Sequence, residues 1–427
     1  MGFLLIISSL FWSACTWNLF RPPHQKAVIA MASFLLGLIT GELALFLIPC
    51  QVLLAGLMIN AGAITGTWTT LALLAWFIAG IAQLIYLVNS SLSGQVLRQV
   101  LDSNEIPHLS PPEADQQRKR FWPRVGKPFA IRLNEVHCVE DVVYGTADGE
   151  TLTLDVYQNK AKQNDQSSAP VLLYIHGGGL LEYGGTKKGQ GLPLLNEFAQ
   201  RGWVCVSINY RLSPTHKWPA HLIDCKTALQ WIKKNISDYG GDAEFIITAG
   251  DSAGGQLSAM MALTANDSQF QPQHPDLDSR IQGALCFYGV MDFCNLFGQA
   301  HNDELAEYSA TKIVDASLDD PNQSAVFESA NAIASINKQT DFSSIPDCAI
   351  IHGDCDSLIA IEESELFAEK LQQASENKVI YSRIPGAQHG YNMFRSLRSE
   401  LVLNELVRLC LLYTSDAADE GLGVDLG

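Results

Sequence analysis

Between residues 27 and 97 the chain carries one formally charged side chain, Glu42, and so long a run of apolar and uncharged residues is a membrane composition rather than that of a water-soluble domain. Residues 2–19 are apolar, the polar run RPPHQK follows, and residues 27–48 supply 22 further positions. As helix, 22 residues reach about 33 Å, enough for a hydrocarbon core of about 30 Å. Residues 67–88 form another span and residues 52–66 a shorter candidate, so residues 1–88 are expected to hold three or four transmembrane helices. Residues 2–19 lack a basic start and lead into more apolar segments, which argues against a cleaved signal peptide. Glu42 is costly inside a span unless paired, and Gln51 or Asn60 is the expected partner. Gly37 with Gly41, and Gly62 with Gly66, have the GxxxG spacing that lets helices approach closely. The basic loop of residues 21–26 should be cytoplasmic; three spans would leave the rest of the chain in the cytoplasm, four outside. The expectation is an integral protein of the bacterial inner membrane, in contact with membrane lipids.

Beyond residue 88 the composition becomes ordinary. Residues 89–135, with five prolines and a basic knot at Arg118, Lys119 and Arg120, read as a connector near the membrane surface that could contribute a lid. From residue 136 to 410, strand and helix patterns alternate: a hairpin around ADGE, then continuous apolar strands interleaved with helices. Such alternation predicts an α/β fold, a mostly parallel sheet with helices on both faces and ligands at the carboxyl ends of the strands. Lys and Arg number 28 against 45 Asp and Glu, a net charge of −17 and the wrong sign for a phosphate-binding surface, so nucleic acid is not expected as a partner. The cysteines after residue 130 show neither metal-site nor disulfide-scaffold spacing and read as buried thiols. Residues 411–427 break the helical pattern of residues 401–409 and resemble translated adaptor sequence, so they are set aside as a non-native tail.

The chemistry sits at strand ends. In FIITAGDSAGGQLSAMMAL a β-prone run meets a helix-prone one, and Ser252 lies at the apex between Gly250 and Gly254, in GxSxG spacing. The helix that follows aims free N–H groups at whatever the hydroxyl attacks, the amide of Ala253 among them. After the strand of residues 171–175 stands HGGG, His176 to Gly179, whose bare amides suit an oxyanion. HGDCDSL offers two carboxylates, Asp354 and Asp356, to orient a histidine; PGAQHGY supplies His389 on a glycine-flanked loop. Ser, Asp and His then follow in the chain order of α/β-hydrolases, each beyond a different strand.

HGGG, NYRLSP (209–214), WPAHLIDCKTALQW (218–231) and GDSAGG (250–255) together resemble the hormone-sensitive lipase family of α/β-hydrolases over residues 136–409. The resemblance implies the α/β-hydrolase fold with a cap insertion at about 293–344. It also implies a triad of Ser252, Asp356 and His389: the family's GxxDxL pattern fits Gly353, Asp356 and Leu358, favouring Asp356 over Asp354. The family's oxyanion donors carry over to Gly178, Gly179 and Ala253, leaving His176 and Gly177 to the turn. Many members have Ser-Pro where this chain has Ala330-Asn331, which bears on the end of the cap. The implied activity is a serine carboxylesterase or lipase acting through an acyl-enzyme, on a small-molecule or lipid ester, without metal or organic cofactor. An amidase or deacetylase would use the same groups. A ligand-binding module on a hydrolase scaffold, as in plant gibberellin receptors, is disfavoured by the presence of His389; a transporter, by the single intramembrane carboxylate.

Overall fold

The computed structural model describes residues 1–162, 168–339 and 341–421. Its first quarter is helical: α1 (Gly2–Phe20), α2 (Ala27–Glu42), α3 (Ala44–Asn60) and α4 (Thr67–Ser90), with α5 (Ser93–Ser103) continuing α4 and α6 (Pro111–Val125) following. α1 and the α4–α5 rod are each long and apolar enough to cross a membrane on their own; α2 and α3 reach that length and apolarity as a pair, bent by 84°. Residues 27–48 are therefore not one straight helix. The bend has a physical cause: the Glu42 carboxylate is held by the Arg398 guanidinium and the Ser396 hydroxyl of the domain that follows, so α2 stays on that domain while α3 turns away. The expected partners of Glu42 are replaced by these two; Gln51 instead donates to Gln83 (2.6 Å), which donates to Thr16 (2.8 Å), a polar thread through α3, α4 and α1. Of the GxxxG pairs, Gly37 and Gly41 do sit against neighbouring elements, whereas Gly62 and Gly66 face open space.

The segment read as a connector is packed helix. Leu97 and Leu101, one turn apart in α5, are fully buried in the core beneath the sheet, and α6 opens on a capping box between Ser110 and Glu113 with Pro111 at its first position.

Eight strands form one sheet in the order β1-β2-β4-β3-β5-β6-β7-β8. β1 (Val136–Ala147) and β2 (Glu150–Asn159) are an antiparallel hairpin turning at Asp148 and Gly149, both at positive φ as a two-residue turn requires. β2 runs antiparallel to β4 (Val204–Ile208); β3 (Ala169–Ile175), β5 (Gly241–Asp251), β6 (Gly283–Phe287), β7 (Asp347–Gly353) and β8 (Val379–Ile384) are parallel to their neighbours. Alternation along β3 divides the core: Val171, Leu173 and Ile175 face α8 (Ala220–Asn235) and α9 (Ala253–Leu263), while Leu172 and Tyr174 face α7 (Leu192–Gln200) and α14 (Leu397–Gly421). Residues 293–344, where a cap is expected, hold α10 (Asp303–Ser309), α11 (Ser324–Ala330) and α12 (Ala332–Ile336), and α13 (Ile361–Ala374) links β7 to β8. α14 runs on past residue 411 to Gly421; the rest of the expected tail lies outside the described residues.

Candidate active site

Ser252 stands between the end of β5 and the first residue of α9 at φ 55° and ψ −121°, a conformation that non-glycine residues rarely adopt. It is held by its own amide donating to the Phe287 carbonyl (2.9 Å) and by crowding: a Cβ on Gly254 would lie 2.0 Å from the Ile175 oxygen, and one on Gly250 2.2 Å from the Gly254 oxygen. Both glycines of GxSxG are thus steric requirements. The Ser252 side chain is half-buried, and among the described residues its hydroxyl has no hydrogen-bond partner.

The HGGG loop lies directly against this turn. A Cβ on Gly177 would meet the Asp251 oxygen at 2.4 Å and the Ser252 Cβ at 3.1 Å, and one on Gly178 (φ 108°) would meet the Gly184 carbonyl carbon at 2.2 Å. Gly177 donates its N–H to Gln190 Oε1 (2.6 Å), which takes it out of consideration as a donor. Gly178 and Gly179 have N–H groups with no acceptor among the described residues, and Ala253, opening α9, has none within its helix. NYRLSP pins the loop: the Ser213 amide donates to Leu180 (2.8 Å) and the Glu182 amide to Ser213 (3.0 Å), while Arg211 forms a buried ion pair with Asp224 of α8. His176 is buried, stacked on Tyr210 at 4.5 Å, and burial pushes its pKa down to about 4, so its ring is a neutral part of the turn.

At the ends of β7 and β8 the two remaining side chains meet. His389 Nδ1 lies 2.6 Å from Asp356 Oδ2, which makes Nδ1–H the donor and leaves Nε2 as the basic nitrogen. Asp354 takes no part: its Oδ1 accepts the Gly386 amide (2.6 Å). Asp356 Oδ1 accepts the amides of Leu358 (2.8 Å) and Ile359 (2.9 Å), and Oδ2 also faces His352 Nε2 at 3.2 Å. Burial alone would raise this carboxyl's pKa; the His389 and His352 contacts overcome it and hold the group well below the usual carboxylate range. Asp356 is therefore held in its ionised form beside the two imidazoles.

Four supporting groups escaped sequence reasoning. His352 lies inside the quoted HGDCDSL motif, so its position was a readable signal. Gln388, beside His389, accepts through Oε1 the amides of both His389 (2.9 Å) and Ser357 (2.7 Å), joining the two loops. Tyr288 covers one side of the His389 ring at 4.6 Å, and Phe34 of α2 stands edge-on to the same ring at 5.7 Å. Nothing in the sequence pattern connects Phe34 to residue 389. In the cap, Asn331 sits where Ser-Pro is usual: its Oδ1 caps α12 at Ala334 (2.9 Å) and its Nδ2 donates to Asp292 (2.9 Å) and the Phe293 carbonyl (3.0 Å). A cavity of about 500 Å³ opens behind Asp356, between Arg21, His24, His301, Asp354 and Arg383, and does not reach Ser252.

The comparisons with known proteins agree with this architecture. The "Probable carboxylic ester hydrolase LipM" of Mycobacterium tuberculosis is 33% identical over 396 residues, covering 91% of this chain and 88% of that protein. The "Esterase LipC" of the same organism is 34% identical over 259 residues, 60% of this chain and 61% of its own length. Among solved structures, Thermogutta terrifontis esterase 2 phosphoramylated by tabun superposes with a TM-score of 0.52 at 22% identity, over 66% of this chain and 95% of that one, a likeness of fold. The molecule is an enzyme of the α/β-hydrolase fold, a carboxylic ester hydrolase. More specifically, residues 154–371 match the BD-FAE family model, and the chain belongs to that family.

Proposed function

We propose that the protein is a membrane-anchored serine esterase that works through an acyl-enzyme on Ser252. His389 Nε2 takes the proton as the Ser252 hydroxyl attacks the ester carbonyl, general-base help typically of about 10² to 10⁴-fold. Asp356 holds the imidazole in the reactive tautomer and stabilises the imidazolium. The tetrahedral oxyanion is received by the amides of Gly178, Gly179 and Ala253, each about 2.7–4 kcal/mol in comparable sites. The imidazolium protonates the departing alcohol, and a water activated by the same nitrogen releases the acid. The observation that carries this reading is the 2.6 Å pairing of His389 with Asp356 at the rim where the strained Ser252 turn abuts the glycine loop. Ser252→Ala should abolish hydrolysis of p-nitrophenyl butyrate in a protein that still folds; retained turnover would refute it.

For the anchor we infer three crossings, α1, α4 and between them α3, whose 17 residues are at the short end of what spans a bilayer core, with the esterase on the side of the basic loop 21–26. Two contacts favour this: Asn302 of the cap donates to the His24 carbonyl (2.9 Å), and His24 stacks on His301 at 4.2 Å. At the other end, Gly2 lies against Thr65 and Thr69 of the α3–α4 turn. Positive charge on the loop then puts the esterase at the cytoplasmic face, of the inner membrane if the source is bacterial like the relatives above. A reporter fused after Arg132 should be active only in its cytoplasmic form.

A further inference from the structure

α2 follows the esterase domain along its whole length. The Ala27 amide donates to Glu304 of the cap (2.8 Å), Ser357 Oγ donates to the Ala30 carbonyl (3.0 Å), Phe34 meets His389, and Glu42 meets Arg398. Gly37 makes the approach possible, since even a Cβ there would stand 3.1 Å from both Gln388 Nε2 and Asn18 Nδ2. The end of α1 abuts the middle of α2, with Asn18 and Ser33 exchanging hydrogen bonds of 2.8 and 2.7 Å. α2 therefore cannot stand upright beside α1 as a membrane crossing does. It lies beneath the esterase. Its opposite face is apolar and exposed: Val28, Met31, Leu35, Leu36 and Ile39. Hydrocarbon is the medium such a face calls for, and the helix between it and the His389 ring is only about 10 Å across.

We propose that α2 is an in-plane membrane helix forming the lipid-side wall of the active site, with Phe34 lining the acyl path, so that the physiological substrate is a long-chain ester resident in the bilayer. This rests on the serine-esterase reading above and narrows its substrate class. An acyl chain sliding past α2 keeps its methylenes out of water, whereas a long-chain ester arriving through solvent would first expose them. Half-buried Phe34, edge-on to His389 and placed where a Cβ on Gly390 would meet its ring at 3.4 Å, would then contact the chain next to the carbonyl.

The test uses the full chain in phosphatidylcholine vesicles, comparing kcat/KM for dioleoylglycerol embedded in those vesicles with that for short-chain tributyrin. Phe34→Ala should lower the ratio of the two about tenfold, the scale expected for losing one aromatic contact with the chain, and Phe34→Leu should restore most of it. Fluorophosphonate labelling checks that Phe34→Ala retains a folded site. An unchanged ratio in Phe34→Ala, or a wild-type protein that hydrolyses tributyrin and leaves dioleoylglycerol untouched, overturns the proposal. Ser252→Ala separates the two readings: turnover surviving in that variant would sink the serine mechanism, whereas its loss alongside an unchanged ratio would sink only the role of α2.

Discussion

The carboxylate of Glu42 in α2 is buried against the guanidinium of Arg398 at the start of α14, and Tyr86 and Ser90 of α4 share the same guanidinium. The pair fastens the helical bundle to the esterase. Glu42→Ala leaves Arg398 buried without its counter-charge, a defect that commonly costs about 3–5 kcal/mol. The double variant Glu42→Leu, Arg398→Met should be less destabilised than Glu42→Ala alone. Unfolding in detergent micelles measures both, and a Glu42→Ala protein as stable as wild type would show that the pair contributes nothing.

Asp356 and Asp354 lie two residues apart, yet only the former touches His389. Asp356→Asn should lower kcat by about 10³ to 10⁴-fold with KM little changed, because the imidazole loses the partner that sets its tautomer. Asp354→Asn should keep kcat close to wild type. Steady-state kinetics on a short-chain nitrophenyl ester decide the matter, and the reverse pattern would reassign the acid.

That choice marks the boundary of what the sequence makes legible. Ser252, the glycine loop and His389 stand out in the sequence because each proposed role demands a local chemistry: glycines where a Cβ would collide, a hydroxyl on a strand-to-helix turn, an imidazole beyond a later strand. The alternating core strands were legible for the same reason, since period and apolarity are local properties. From the residues alone Asp354 and Asp356 were equivalent, and the family pattern separated them. The contacts of α2 were not legible at all. Glu42 and Arg398 are 356 positions apart, and the choice of Gln51 or Asn60 as partner followed from searching within the apolar segment. The bend at Leu43 was missed with it, because hydropathy reports that a stretch is apolar without saying which face must meet another domain. α5 reads as connector because its Leu97 and Leu101 are few among polar residues, and only tertiary packing shows both to be buried.

Gly178 tests the oxyanion loop. Its φ of 108° and the 2.2 Å approach to Gly184 leave no room for a methyl group, so Gly178→Ala must displace the loop. kcat should fall by about 10² to 10³-fold, the usual consequence of misplacing one oxyanion donor. Wild-type kcat in this variant would remove Gly178 from the proposed donors.

Glu363 of α13 is buried and accepts the Asp292 amide at 3.0 Å. Burial, reinforced by the charges of Asp292 and Asp356, raises its pKa from the usual 4.5 to about 8. The folded protein therefore binds this proton more tightly than the unfolded chain, so its stabilising contribution is complete below about pH 4.5 and is lost as pH rises through about 8. Glu363→Gln, which mimics the protonated group, should lose less stability than wild type between about pH 6 and 9 in thermal denaturation. Equal slopes in the two proteins would show that the carboxyl is already ionised in the fold.

The central claim is that Ser252 is the nucleophile made reactive by His389. Treatment of the full-length protein with a fluorophosphonate, followed by peptide mass mapping, tests it most directly. A single adduct on the peptide carrying Ser252, formed rapidly in wild type and slowed at least about a hundredfold in His389→Ala, is the predicted result. An adduct on another residue, or labelling of Ser252 at the same rate without the imidazole, would contradict the account.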